Sequence, residues 1–209
     1  TPTIDLTGVN GAAISANTSQ VLGATSVTVT GLAATNSFTS GAALTGTLNV
    51  TLAEGSNSVV TSAAGTIAIE DAGEEGASLV SSKAGTTAAP VTINVEGDGD
   101  DDGAVSATAN DALSISAVGA VSLNTNAGVS GTDQVENLTL SGNGAAATYT
   151  IGASDAVEKI TLIGDQDVTV SAGAADLETE TVTDATTAGT TTVSLTGTGL
   201  GGSTTDGFT

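Results

Sequence analysis

Apolar residues recur along this chain in alternating pairs, and the pairs recur at a nearly constant distance. In order they are Ile4/Leu6, Val27/Val29, Leu48/Val50, Ile67/Ile69, Val91/Ile93, Leu113/Ile115, Leu138/Leu140 and Ile160/Leu162, ending at Val182. First members are separated by 23, 21, 19, 24, 22, 25 and 22 residues, and Leu162 and Val182, matched as second members, by 20. A second apolar mark follows each pair by 8–14 residues: Ile14, Phe38, Val59, Leu79, Val105, Val121, Tyr149, Val168 and Val193. Alternation with period two is the pattern of a strand with one buried face. In Ser26-Val-Thr-Val-Thr30 and Ala112-Leu-Ser-Ile-Ser-Ala117 it turns aliphatics inward and Thr or Ser outward, and Thr is a good strand former that stays soluble.

The repeat is plainest between residues 135 and 196. Val135-Glu-Asn-Leu-Thr-Leu140, Val157-Glu-Lys-Ile-Thr-Leu162 and Leu177-Glu-Thr-Glu-Thr-Val182 all read apolar-Glu-x-x-Thr-apolar. Each is followed by a second strand-like run: Thr148-Tyr-Thr-Ile151, Val168-Thr-Val170 and Thr192-Val-Ser-Leu195. A unit of this length holding two short strands is the signature of a solenoid coil. The corners between runs are rich in Gly, Asn, Ser and Asp, which tolerate positive φ or make side-chain-to-backbone turns. The spacing predicts an all-β, right-handed parallel β-solenoid (β-helix) of about nine coils of about 22 residues, a rod on the order of 40 Å long at the usual strand spacing. It forms one domain over residues 1–200, followed by a flexible tail at 201–209. Asp176-Leu-Glu-Thr-Glu180 reads as a strand through its match to the repeat, although a helical turn would also suit it. The alternative architecture is one or two immunoglobulin-like β-sandwich domains, which also show strands every 8–12 residues with turn signals between them.

Composition sharpens this picture. Only Phe38, Tyr149 and Phe208 are aromatic, so the core is built from Val, Ile, Leu and Ala, which suit a narrow interior. With 39% apolar residues and β-branched alternation from end to end, the chain does not read as disordered. There are 23 acidic residues against Lys83 and Lys159, with no Arg or His, for a formal charge of −21. Nucleic acid, which needs Lys and Arg, is excluded as a partner, and so is electrostatic binding to anionic lipid. Self-repulsion of this size calls for cations, with divalent metal from a saline or calcium-containing medium the natural candidate. Cys, Met and Trp are absent, which fits an exported protein in which calcium takes the place of disulfides. No apolar run reaches 18 residues, so no membrane-spanning helix is expected. The start at Thr1-Pro-Thr carries no signal peptide and reads as a mature form or a segment of a longer chain.

The sharpest local signal is Glu96-Gly-Asp-Gly-Asp-Asp-Asp-Gly103. Asp98, Asp100 and Asp102 stand at alternate positions before Gly103, as in the first half of the D-x-D-x-D-G calcium loop. At the twelfth position, where a bidentate Glu is expected, stands Ala109, with Asn110 and Asp111 adjoining. The expected calcium ligands are Asp98, Asp100 and Asp102, with Asn110 or Asp111 completing the shell; a solvated acidic turn is the plainer alternative. Weaker metal candidates are Glu70-Asp71 with Glu74-Glu75, and Gly164-Asp-Gln-Asp167. Glu136, Glu158 and Glu178 would stack in one column if the three motifs align, either fanning into solvent or holding a cation. Without His or Cys the chain has no triad or thiol nucleophile. A carboxylate-pair polysaccharide enzyme is the remaining catalytic alternative.

With these motifs in hand, the chain resembles the lattice-forming part of bacterial S-layer proteins, of the type exported through a one-step channel as RTX toxins are. The resemblance rests on Val135-Glu-Asn-Leu-Thr-Leu140 and its two repeats in a Thr/Ala/Gly background lacking Cys. It implies a calcium-dependent two-dimensional array of β-solenoid subunits on the cell surface, with copies of the chain itself as partners. Cell-surface polysaccharide would be reached through a region outside this sequence. The chain departs from the family in lacking the nonapeptide G-G-x-G-x-D-x-U-x, so any calcium must come from other loops. An adhesin stalk or ligand-binding repeat module is the alternative within the same class.

Overall fold

The computed structural model describes residues 3–5, 13–16, 26–32, 37–40, 44, 46–52, 59–72, 77–97, 112–124, 137–152, 159–173 and 181–196. Fifteen strands fall within them: β1 (Thr3–Asp5), β2 (Ala13–Ala16), β3 (Ser26–Leu32), β4 (Ser37–Ser40), β5 (Thr47–Leu52), β6 (Val59–Ser62), β7 (Thr66–Ala72), β8 (Ala77–Gly85), β9 (Val91–Gly97), β10 (Ala112–Asn124), β11 (Asn137–Ile151), β12 (Lys159–Gly164), β13 (Val168–Gly173), β14 (Thr181–Thr186) and β15 (Thr191–Thr196). Every pairing between these strands is parallel. Sequence-adjacent strands do not pair as hairpins; up to β9 and again beyond β11 each strand pairs with the strand after next, while β10 and β11, which serve both faces, also pair in parallel with their sequence neighbours. This is a parallel β-solenoid, and it removes the immunoglobulin-like sandwich, whose sheets are antiparallel. No helix occurs among the described residues, so none there is long and apolar enough to cross a membrane.

Two faces result. The odd face stacks β1, β3, β5, β7 and β9, continues through the C-terminal halves of β10 and β11, and ends in β13 and β15. The even face stacks β2, β4, β6 and β8, then the N-terminal halves of β10 and β11, then β12 and β14. β10 and β11 cross from one face to the other through a register shift between Ala117 and Gly119. The crossing needs glycine: a Cβ on Gly85 would lie 1.9 Å from the Ala120 carbonyl oxygen, and one on Gly119 2.2 Å from that of Gly85.

The register corrects the sequence reading in four places. The apolar pairs taken as one series change face partway: those from Val27/Val29 to Val91/Ile93 lie on the odd face, whereas Leu113/Ile115 stacks on β8 and Leu138/Leu140 follows it on the even face. The count of nine coils drawn from that series is therefore not confirmed by the stack. Ile67 and Ile69 pair with Ile93 and Val95, so the pair Val91/Ile93 is two residues out of register. Val182 pairs with Ile160, not with Leu162, whose partner is Asp184. Finally the buried partner of Phe38 is Val60, while Val59 is 40% exposed. The middle two errors have one cause, since a slip of two residues keeps every side chain on its own face and leaves the hydrophobic pattern unchanged. Val105 and the tail 201–209 lie outside the described residues.

The interior is the expected aliphatic column, with two polar devices the pattern did not reveal. Tyr149 is fully buried, and its hydroxyl donates to the Ser141 carbonyl at 2.7 Å, with the Ile115 carbonyl at 3.2 Å. It spans from the odd face to backbone of the even face, beside the point where β10 and β11 cross over. On the even face Ser40, Ser62 and Ser81 occupy successive inward positions. Ser40 and Ser62 share a hydroxyl–hydroxyl bond of 2.7 Å, and Ser62 Oγ also accepts the Ala64 N–H at 3.0 Å. Ser81 Oγ is buried without a hydrogen-bond partner.

Candidate functional site

The best-defined corner is the one between β12 and β13, which holds the weaker metal candidate Gly164-Asp-Gln-Asp167. Gly164 takes φ +99°, and its carbonyl accepts the Thr187 N–H at 2.7 Å and the Thr187 hydroxyl at 3.1 Å from the next turn. The Asp167 carboxylate accepts the Thr190 N–H at 2.7 Å, and Asp165 accepts Gln166 Nε2 at 3.0 Å. Gly189 lies directly above at φ +86°, where a Cβ would come within 2.7 Å of the Gln166 carbonyl carbon. These contacts clip one corner to the next. Asp167 satisfies a backbone donor that a bend would otherwise leave open, so its role here is a structural cap.

Asp184 is a second acidic residue with a local task. Its carboxylate accepts the Thr186 hydroxyl at 2.7 Å and the Thr186 N–H at 3.0 Å. Those bonds, the hydroxyl's first, hold it below the usual carboxylate range. It also occupies the register position above Leu162, where the buried stack of Leu113/Ile115, Leu138/Leu140 and Ile160/Leu162 would call for another aliphatic. A carboxylate there opposes continuation of the apolar column, a device by which sheets discourage strand addition.

Beyond Gly97 the acidic stretch lies outside the described residues, and with it Asp98, Asp100, Asp102, Asn110 and Asp111. So do Glu74 and Glu75, the column proposed for Glu136, Glu158 and Glu178, and the stretch 176–180. Glu70 and Asp71 fall near the end of β7. Among the described residues no group of three or more acidic side chains could hold a metal ion. The strands flanking the acidic stretch are informative all the same. β9 ends at Gly97 on the odd face and β10 begins at Ala112 on the even face. The stretch is therefore the connection from odd to even face, and it lengthens that turn: Leu79 stacks on Ile115, 36 positions later, whereas Val60 stacks on Leu79 after 19.

The topology also sorts the charge. By sequence, 15 of the 23 acidic residues fall in connections running from an odd-face strand to the next even-face strand, beginning with Glu54 and ending with Glu180. Asp5, Glu70, Asp71 and Glu96 stand at or near the ends of odd-face strands that lead into such connections. The return connections from even to odd contain only Asp165 and Asp167. No reading of linear charge could find this asymmetry, because it depends on which strands share a face.

A regularity of the odd face was equally hidden. Thr47, Thr66, Thr92, Ser122, Thr150, Ser171 and Ser194 pair in succession across seven strands, one hydroxyl residue on each. Beside this row the arm 86–90 turns tightly through the antiparallel bridge between Thr86 and Ala89, all five residues exposed. A groove of about 610 Å³ lies between arm and face, lined by Thr86, Pro90, Ser122, Thr148 and Thr150 among others and by no ionisable side chain. No family model, curated protein or solved structure matches this chain.

Proposed function

We propose that this chain is a structural, self-assembling extracellular protein, the subunit of a calcium-dependent surface array of S-layer type or of a filament. In this reading it is a right-handed solenoid of about nine coils and carries no catalytic site. The observation that carries the proposal is the sorting of charge on a parallel solenoid: 15 of the 23 acidic residues fall in the odd-to-even connections, while the middles of the strands present chiefly Thr, Ser and Asn between their buried aliphatics. A chain with a formal charge of −21 meets another copy only where charge is absent or neutralised. Calcium held by Asp98, Asp100 and Asp102, with Asn110 or Asp111, removes two charges per ion and supplies several oxygen bonds. The absence of Cys, Met and Trp supports an exported setting.

Negative-stain electron microscopy of the purified chain at graded calcium concentrations tests the reading. Ordered sheets or filaments that form with calcium and dissolve with chelator are expected. A monodisperse monomer at high concentration with calcium favours an adhesin stalk instead. Polysaccharide turnover lost on a single carboxylate substitution would favour the enzyme.

A further inference from the structure

We infer that copies of this chain associate side by side through the odd face, with the arm 86–90 setting their register. The inference rests on the self-assembly proposed above and specifies the surface that performs it. Four surfaces are available to a second copy, and three carry obstacles. The odd-to-even connections concentrate the acidic residues. At β14, the last even-face strand among the described residues, Asp184 stands where the apolar column would continue. The even face bears Lys159 and the exposed bulk of Val59 and Ile163, which break its level. The odd face has the hydroxyl row from Thr47 to Ser194, flanked by Thr148, Thr169 and Thr192 on one side and by Asn49, Ala68 and Asn94 on the other. None of these is ionisable; the nearest carboxylate residues on these strands, Glu70 and Glu96, stand four positions beyond the row on β7 and β9, at the edge that leads into the acidic connections.

A hydroxyl donates as well as accepts, so one such face complements another copy of itself without any matching of charge. Seven strands at about 4.8 Å, each over about four consecutive residues or 14 Å of its length, offer roughly 500 Å² per copy, or about 1,000 Å² in a pair. That is the lower bound for a specific interface, and it suits an array in which many modest contacts add together. The row has a weakness, since sliding one copy by a single strand spacing recreates nearly the same contacts. The Thr86–Ala89 bridge that shapes the arm is the one isolated bridge among the described residues, so a neighbour seated against the arm and its groove loses that freedom.

The test compares assembly by light scattering and electron microscopy, in calcium, for the unaltered chain and single variants whose fold is checked by circular dichroism. Thr150→Asp and Ser171→Asp, at separate strands of the row, are each expected to raise the concentration needed for assembly roughly tenfold or more, through like charges brought face to face. Thr161→Asp, on the even face, leaves it within about twofold, well under the effect of one desolvated charge. Thr150→Lys separates location from net charge: it lowers the overall negative charge and is still expected to block assembly. Thr87→Trp, at the arm, leaves assembly intact and abolishes its long-range order. Equal effects of Asp at positions 150 and 161, or assembly enhanced by Thr150→Lys, would overturn the odd face as the contact; order retained in Thr87→Trp would overturn the arm as its key. If arrays form and tolerate charge on the odd face, only this inference falls. If the unaltered chain never assembles, the proposed function falls with it.

Discussion

Tyr149 makes the chief polar commitment of the interior. Its hydroxyl supplies a donor to carbonyls left beside the register shift of β10 and β11. Tyr149→Phe keeps the ring and removes the donor, so a loss of about 1–2 kcal/mol is expected in denaturant unfolding. Burial raises the phenol's pKa well above its ordinary value, against the smaller opposing effect of its backbone bonds. A raised pKa means the folded state holds the proton more tightly. The stability this contributes is whole below the unfolded pKa of about 10 and is lost as pH climbs through the folded value. Because Tyr149 is the sole tyrosine and Trp is absent, tyrosinate absorbance reports this one site. It should appear together with unfolding; free titration near the ordinary pKa in the folded protein would contradict the burial. The serines separate in a similar way. Ser62→Ala leaves the Ala64 N–H and the Ser40 hydroxyl without their partner and should cost about 1–2 kcal/mol. Ser81→Ala removes a buried hydroxyl that bonds nothing and should be neutral or stabilising by up to about 1 kcal/mol.

For the strands, burial decides which residues matter, and two isoleucines make the contrast. Ile67 is wholly buried and Ile163 is 38% exposed on the outer side of the even face. Ile67→Ala should cost about 2–5 kcal/mol and Ile163→Ala less than about 0.5, measured as paired unfolding curves. At the corner, Gly189→Ala meets both positive φ and the Gln166 backbone, and a loss of at least about 1–2 kcal/mol is expected. These strands were largely legible beforehand, because alternation of Val, Ile and Leu with Thr and Ser marks a half-buried strand. Their register was legible only modulo two: Val182 fits above Leu162 as well as above Ile160 when only facing is read. The face of each strand was obscured by the acidic connection between Ile93 and Leu113. It carries 14 residues between β9 and β10 and so puts an odd-to-even step at the distance of a full turn. Asp167 reads in the sequence as part of an acidic corner, but its use as a cap for Thr190 depends on a neighbour 23 positions away. The hydroxyl row and the serine column have the same limit. Each member is an ordinary Thr or Ser in the sequence, and only stacking relates it to the others.

At the scale of the whole molecule, charge is the dominant constraint. Twenty-one net negative charges, concentrated by the topology in one set of connections, oppose both the closing of coils and the approach of copies. A cation bound only by the folded form stabilises it by mass action, about 2.7 kcal/mol per site at a hundredfold excess over its dissociation constant. Monovalent salt screens without coordinating and should rescue only part of that effect. The most direct test follows thermal unfolding and particle size together, with calcium, with chelator, and for Asp100→Ala. Chelator should lower the melting temperature and dissolve the assembly, and Asp100→Ala in calcium should shift both in the same direction. If chelator changes neither quantity, calcium has no part in this protein, and the acidic stretch is a solvated turn.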